Sequence, residues 1–343
     1  MAMWSHTIVV LVVIIRCIEV FGGHEVLHGV TLDPLQDIQP HELAIIQYDS
    51  RPLGDYWNSS AYWNFAFAQK WNHQYLFISG STFEEDELSR KGMGGFDHND
   101  VSLSNGIKNR KNRVCRHPDG VSLSPVWCKV KAMVRAKRYL PTAKAFVFFD
   151  SDIAVTLTNQ SLTNVFAFMR KDLGWNYKEM PVAFNQDGPG WACRHTIEKV
   201  GYPYCFNSGS IFWVRNSVSQ TILSLWWKLA ADPYSNSKFT EDWRHKWPWE
   251  QAQMYPLYET YKRYIMRLSF PREPFLPWKS TKNPRAQYPT DFVEPWCFSH
   301  WPGANCFVTH FCGSPTQKRR LRDEYLVDPQ ETKGSSLPQK KMF

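Results

Sequence analysis

Ala145-Phe146-Val147-Phe148-Phe149-Asp150-Ser151-Asp152 is the stretch on which the fold turns. Its apolar run marks a strand covered on both faces, as in a sheet sandwiched between helix layers. Two acids arrive where that run stops. In a strand, residues i and i+2 share a side, so Asp150 and Asp152 are expected to project together while Ser151 faces away. Paired hard oxygen ligands at the carboxyl end of a central strand predict a divalent-cation site, and open α/β sheets take their ligands at that end. Carboxylates beside a buried strand need a cation or a partner to offset their desolvation. A D-x-D alone is common in surface turns, so the apolar approach carries the inference.

Outward from this strand, the chain alternates between strand and helix patterns. Residues 43–47 (LAIIQ) and 75–79 (YLFIS) read as strands flanking an aromatic helix over 58–72, with Asn58 or Ser59 as its N-cap. This β–α–β opening predicts parallel strands joined by a crossover helix. A helix is expected over 127–139 (WCKVKAMVRAKRY), with Lys129 and Arg135 on polar positions. Strands follow at 181–184 and 210–214, and helices at 220–229 and 250–261. Residues 80–124 carry Lys108, Arg110, Lys111, Arg113 and Arg116; they form either a solvated basic loop or a lid over phosphates. Residues 271–301, rich in proline and aromatics, read as a long ordered loop. The expected architecture is a single α/β domain over residues 24–315, with a mostly parallel central sheet flanked by helices. Residues 316–343 read as a basic, flexible tail.

Composition narrows the class. The 343 residues are 43% hydrophobic and 15% aromatic, which excludes a disordered or coiled-coil chain. No apolar run approaches the roughly 20 residues of a spanning helix, which excludes a polytopic membrane protein. The net charge of +8 is diffuse, and no nucleic-acid partner is expected. Residues 8–15 (IVVLVVII), closed by Arg16, suit a signal-peptide core. Residues 1–23 are thus a cleaved signal or a signal anchor, and an anchor would be the chain's one membrane contact. Both place the protein in the secretory pathway, in the Golgi or ER lumen or, after cleavage, outside the cell. Eight cysteines without a C-x-x-C pair favour disulfides over zinc, with Cys115–Cys128 and Cys193–Cys205 as expected pairs. Asn58-Ser59-Ser60 and Asn159-Gln160-Ser161 are sequons usable only in a lumen.

Two further elements carry chemistry. Val308-Thr309-His310-Phe311-Cys312-Gly313 delivers His310 just before a glycine turn, and imidazole beside carboxylates suits manganese better than calcium. Trp247-Pro248-Trp249-Glu250-Gln251 places Glu250 and Gln251 at a helix start behind tryptophans, whose flat faces suit sugar rings as well as core packing. P-loop, G-x-G-x-x-G, H-E-x-x-H and G-x-S-x-G signatures are all missing from the sequence.

The order LAIIQYDSR, AFAQKWNHQYLFISG, then WCKVKAMVRAKRYLP before AFVFFDSDIAV resembles the GT-A-fold nucleotide-sugar glycosyltransferases, most closely glycosyltransferase family 34. The resemblance implies that Asp150 and Asp152 bind manganese (or magnesium), and that His310, with Gly313 in an H-x-x-G context, completes the metal shell. It places Gln47, Tyr48, Lys129, Arg135, Ser151, Asn207 and Gly313 around the sugar-nucleotide donor. Phe206-Asn207-Ser208-Gly209 is similar to the strand that walls the donor and acceptor site. Glu250 or Gln251 would be the polar partner of the anomeric carbon in a retaining transfer to a glycan or glycoprotein acceptor. The pair here is Glu-Gln where the family more often has Asp-Gln, and Cys312 stands on the other side of the glycine, so sugar and acceptor are not carried over. Two rival functions use the same residues: a retaining glycoside hydrolase, and a secreted metal-dependent carbohydrate-binding protein.

Overall fold

The computed structural model describes residues 38–50, 57–79, 115–156, 158–171, 173–186, 205–231, 244–245, 249–268, 298–299 and 307–310. The expected signal segment, the tail, the basic loop up to residue 114, Cys193 and Gly313 lie outside the described residues. In chain order the elements begin with β1 (Leu43–Asp49), α1 (Trp57–Lys70) and β2 (Gln74–Ser79). A hairpin of β3 (Cys115–Arg116) and β4 (Ser122–Leu123) leads to α2 (Cys128–Tyr139), β5 (Ala145–Asp150), β6 (Ile153–Val155) and α3 (Leu162–Lys171). Then come β7 (Val182–Gln186), β8 (Phe206–Val214), α4 (Ser217–Leu229) and, after a 3-10 turn at Trp249–Gln253, α5 (Met254–Tyr261). The last strands are β9 (Ile265–Leu268), β10 (Phe298–Ser299) and β11 (Val308–His310).

Strand β5 lies inside a six-stranded sheet of order β2-β1-β5-β8-β7-β9. Both β2 and β5 run parallel to β1, β9 runs parallel to β7, and β8 is antiparallel to its two neighbours. The predicted run in β5 is fully buried because each face meets a separate apolar layer. Phe146 and Phe148 join Ala44, Ile46 and Trp213 under α2, α4 and α5. Val147 and Phe149 join Ile45 and Phe212 under α1 and α3. This is the single α/β domain expected, with its mostly parallel sheet flanked by helices. No helix among the described residues is long and apolar enough to cross a membrane.

A small second sheet, β10-β11-β6, grows from the end of β5. The β3–β4 hairpin is tied to the start of α2 by the expected Cys115–Cys128 disulfide, with Cα atoms 5.5 Å apart. Cys205 is also disulfide-bonded, to a residue outside the described ones.

His73 ties three segments of the chain together. Its Nδ1 lies 2.8 Å from the Pro40 carbonyl and its Nε2 accepts the Leu162 N–H at 3.2 Å, so the ring is held as the neutral tautomer. Burial lowers its pKa, and the Pro40 bond only partly opposes that. The unfolded chain takes up the proton near pH 6.5 and the folded chain only at lower pH. The contribution of His73 is therefore complete above the unfolded value and is lost as pH falls through the folded one. Thermal melts should show wild type losing stability between about pH 7 and pH 5 more steeply than His73→Gln; equal slopes would refute this role.

Candidate active site

The D-x-D acids converge by a turn and not, as expected, by strand alternation. Strand β5 ends at Asp150, Ser151 and Asp152 form a turn, and β6 leaves in a different sheet. Buried polar groups pin that turn. Gln47 donates to the Asp150 carbonyl at 3.1 Å and the Ile153 carbonyl at 3.3 Å, and accepts from Tyr75 Oη at 2.8 Å. Helix α1 supplies the rest. Ser60 donates to the Ser151 carbonyl, and Trp63 Nε1 to the Val155 carbonyl. Asn64 donates to the Ile153 carbonyl at 2.8 Å and accepts the Val155 N–H at 2.9 Å. The Ser151 hydroxyl donates to the buried Asp49 carboxylate. Gln47 and Ser151 thus hold the turn's shape, and Tyr48 sits in the apolar layer, paired in register with Asp150.

Strand β11 completes the cluster. It pairs antiparallel with β6 so that His310 stands opposite Ile153, next to the turn. Asp150, Asp152 and His310 each offer an atom, and these atoms all lie within 4.8 Å of one another. His310 Nε2 is 3.1 Å from Asp152 Oδ1. Sequence reasoning placed His310 here only through the family resemblance; the β6–β11 pairing is what brings it in.

The third wall is a bulge in β8. Against β7, Ile211 pairs with Phe184 while Asn207 pairs with Asn185, the very next residue, so residues 208–210 have no register partner in β7, although the Asn185 side chain donates to Ser210 Oγ at 3.0 Å. Such bulges re-aim side chains beside active sites. Here the bulge presents Ser208 toward α2 and lays Gly209 against the cluster. A Cβ at Gly209 would stand 2.8 Å from Asn207 Oδ1, 3.2 Å from His310 Cε1 and 3.3 Å from Asp150 Oδ2. Asn207 is held by the Gly209 N–H, 2.6 Å from its Oδ1. The need for a missing side chain at Gly209 was not foreseen from the sequence; the N-S-G triplet in an apolar strand was its only trace.

On the other flank, Lys129 is 5% exposed and its ammonium is fully engaged. Nζ lies 3.0 and 3.3 Å from the two Asp150 oxygens, 2.9 Å from Ser208 Oγ and 2.7 Å from Glu250 Oε1. Ser208 in turn donates to Glu250 Oε1 at 2.6 Å. Desolvation favours the neutral amine, but Asp150 and Glu250 outweigh it and hold the Lys129 pKa above its ordinary value. Arg135 lies six residues farther along α2, about 9 Å down the axis and on another face. Glu250 and Gln251 occupy a 3-10 turn where an α-helix was expected, entered through Trp249 in the left-handed region at φ 48°. The Gln251 amide donates to the Phe206 carbonyl.

The chain matches no protein-family model and no curated protein. Among solved structures it is similar to a glycosyltransferase involved in glycosylation of the major capsid of PBCV-1, at 13% identity and TM-score 0.47, over 82% of this chain and 98% of that one. It is also similar to the galactosyltransferase LgtC bound to donor and acceptor sugar analogues, at 13% identity and TM-score 0.41, over 85% and 99% of the two chains. Mouse xyloside xylosyltransferase 1 follows at 10% identity and TM-score 0.34, over 67% and 85%. These likenesses concern overall shape; what the site does rests on its own residues.

Proposed function

We propose that this protein is a metal-dependent glycosyltransferase that moves a sugar, with retention, from a nucleoside-diphosphate donor to a hydroxyl of a glycan or glycoprotein. The carrying observation is the convergence of Asp150, Asp152 and His310 at the carboxyl end of a central strand. Their donor atoms are close enough to share one ion at ligand distances of roughly 2.0–2.6 Å. Two carboxylates and an imidazole suit manganese, with magnesium as the alternative. When bound, that ion supplies Lewis-acid stabilisation of the charge that builds on the departing diphosphate.

The chain's own residues do the rest. Asp150 and Asp152 provide the negative charge that an ion must offset before a diphosphate approaches. Gly209 keeps the space beside them open. Asn207 and Gly313 are the proposed donor contacts. Gln251 is the candidate partner of the anomeric carbon, since the Glu250 oxygen Oε1 is committed to Lys129 and Ser208. A hydrolase needs two carboxylates flanking the sugar; Asp150 and Asp152 instead crowd one point. The Cys115–Cys128 disulfide supports a secretory-pathway location, because such bonds persist in oxidising compartments.

Incubation with a panel of sugar nucleotides, manganese and hydroxyl acceptors tests the reading. Acceptor-dependent release of nucleoside diphosphate, abolished by chelator, is the expected result. Manganese binding with no release from any donor would refute a transferase and favour a carbohydrate-binding protein. A second measurement isolates the ion's part: calorimetry with a nucleoside diphosphate should show heat with manganese and almost none in chelator. Equal affinity in the two conditions would remove the ion from donor binding.

A further inference from the structure

The Lys129 ammonium has three N–H donors, and three acceptors take them: Asp150, Ser208 and Glu250. No donor is left over for a phosphate in this arrangement. Lys129 is an internal counter-ion, set directly on a proposed cation ligand. Alone, its positive charge would repel a divalent ion from Asp150. Glu250 answers that charge at 2.7 Å, at 3% exposure and inside the same buried network. The second Glu250 oxygen is buried and has no hydrogen-bond partner among the described residues. An incompletely satisfied buried carboxylate is costly, so its hydrogen bonds alone do not account for its presence. Its charge does.

We infer that Glu250 is a positioning residue for cation affinity: it offsets the charge of Lys129 so that the ammonium beside Asp150 does not repel the ion. This rests on the cation site of the proposed function and adds a residue that acts on it without touching the ion. The balance makes signed predictions. Glu250→Gln leaves Asp150 alone to answer the Lys129 charge and weakens manganese binding. Lys129→Met removes the repulsion, leaves the Glu250 charge in place and tightens it. The double variant removes both charges and returns affinity to near wild type.

The test is manganese binding to the full chain, by calorimetry or by electron paramagnetic resonance of the free ion, with no nucleotide present. Glu250→Gln should bind at least about tenfold more weakly, and the double variant within about threefold of wild type, as expected of close charges at low dielectric. A folded Glu250→Gln with wild-type affinity would overturn the inference, as would a double variant no tighter than Glu250→Gln. Each single change takes one member out of a buried charge cluster, so a single variant that does not fold cannot decide. The double variant then does: wild-type affinity supports cancellation, and a loss beyond about tenfold overturns it. If wild type itself binds no manganese, the cation site fails, a different result from failure of the charge balance.

Discussion

Asp152→Asn is expected to lower sugar transfer by at least about 100-fold, or about 2.7 kcal/mol at 1.36 kcal/mol per decade, with the fold intact. The substitution removes one of the three groups able to hold the ion and does so without changing volume. Asp152 lies in the turn after β5, outside both apolar layers, so little packing depends on its charge. The turn itself is fixed by Gln47, Ser60 and Asn64 through backbone carbonyls, none of which the variant touches. The amide keeps the shape that meets His310, 3.1 Å away in the wild type. Circular dichroism should match wild type while manganese affinity falls with activity. A folded variant retaining more than roughly a tenth of the activity would remove Asp152 from the ligand set.

The parts of this site that were readable in the sequence are those encoded locally. A run of five apolar residues makes a strand buried on both faces whatever surrounds it, and acids that follow it emerge at its carboxyl end. The C-x(12)-C spacing of Cys115 and Cys128 closes a hairpin short enough to pair. What was not readable depends on contacts distant in the chain. Nothing near His310 announces that β11 will pair with β6, since a three-residue strand has no periodicity to detect. The bulge in β8 is likewise set by the mismatch with β7, and alternation alone would have put Ser208 and Ser210 on one face. Two features were legible and missed. Leu162, Val165, Phe166 and Met169 are all buried at helical spacing, which describes α3. Ser60 and Asn64 stand four apart in an aromatic-rich helix, hence on one face, and polar residues on a buried face need partners. Those partners are the backbone of the D-x-D turn.

Gly209→Ala is expected to cost about 10- to 100-fold in manganese affinity, a loss of the size seen when groups supporting metal ligands are altered, with little change in thermal midpoint. The backbone does not object to alanine, because Gly209 is not among the residues with positive φ. The objection is spatial. The new methyl would arrive 2.8 Å from Asn207 Oδ1, a contact that a side-chain rotation relieves at the cost of the Asn207 bond to the Gly209 N–H. The other two contacts cannot be relieved so easily. His310 Cε1 at 3.2 Å is anchored through the β11 pairing with β6, and Asp150 Oδ2 at 3.3 Å is gripped by Lys129. Either the ligands splay or the ion's space narrows, and both weaken binding. A second substitution separates the contributions. If the loss came from displacing Asn207, Asn207→Ala in the Gly209→Ala background would restore affinity. If it comes from crowding His310 and Asp150, the double variant stays weak, which is the outcome expected here. Manganese affinity within about threefold of wild type in folded Gly209→Ala would show that the cation sits clear of β8, and the bulge would then have no part in holding the site open.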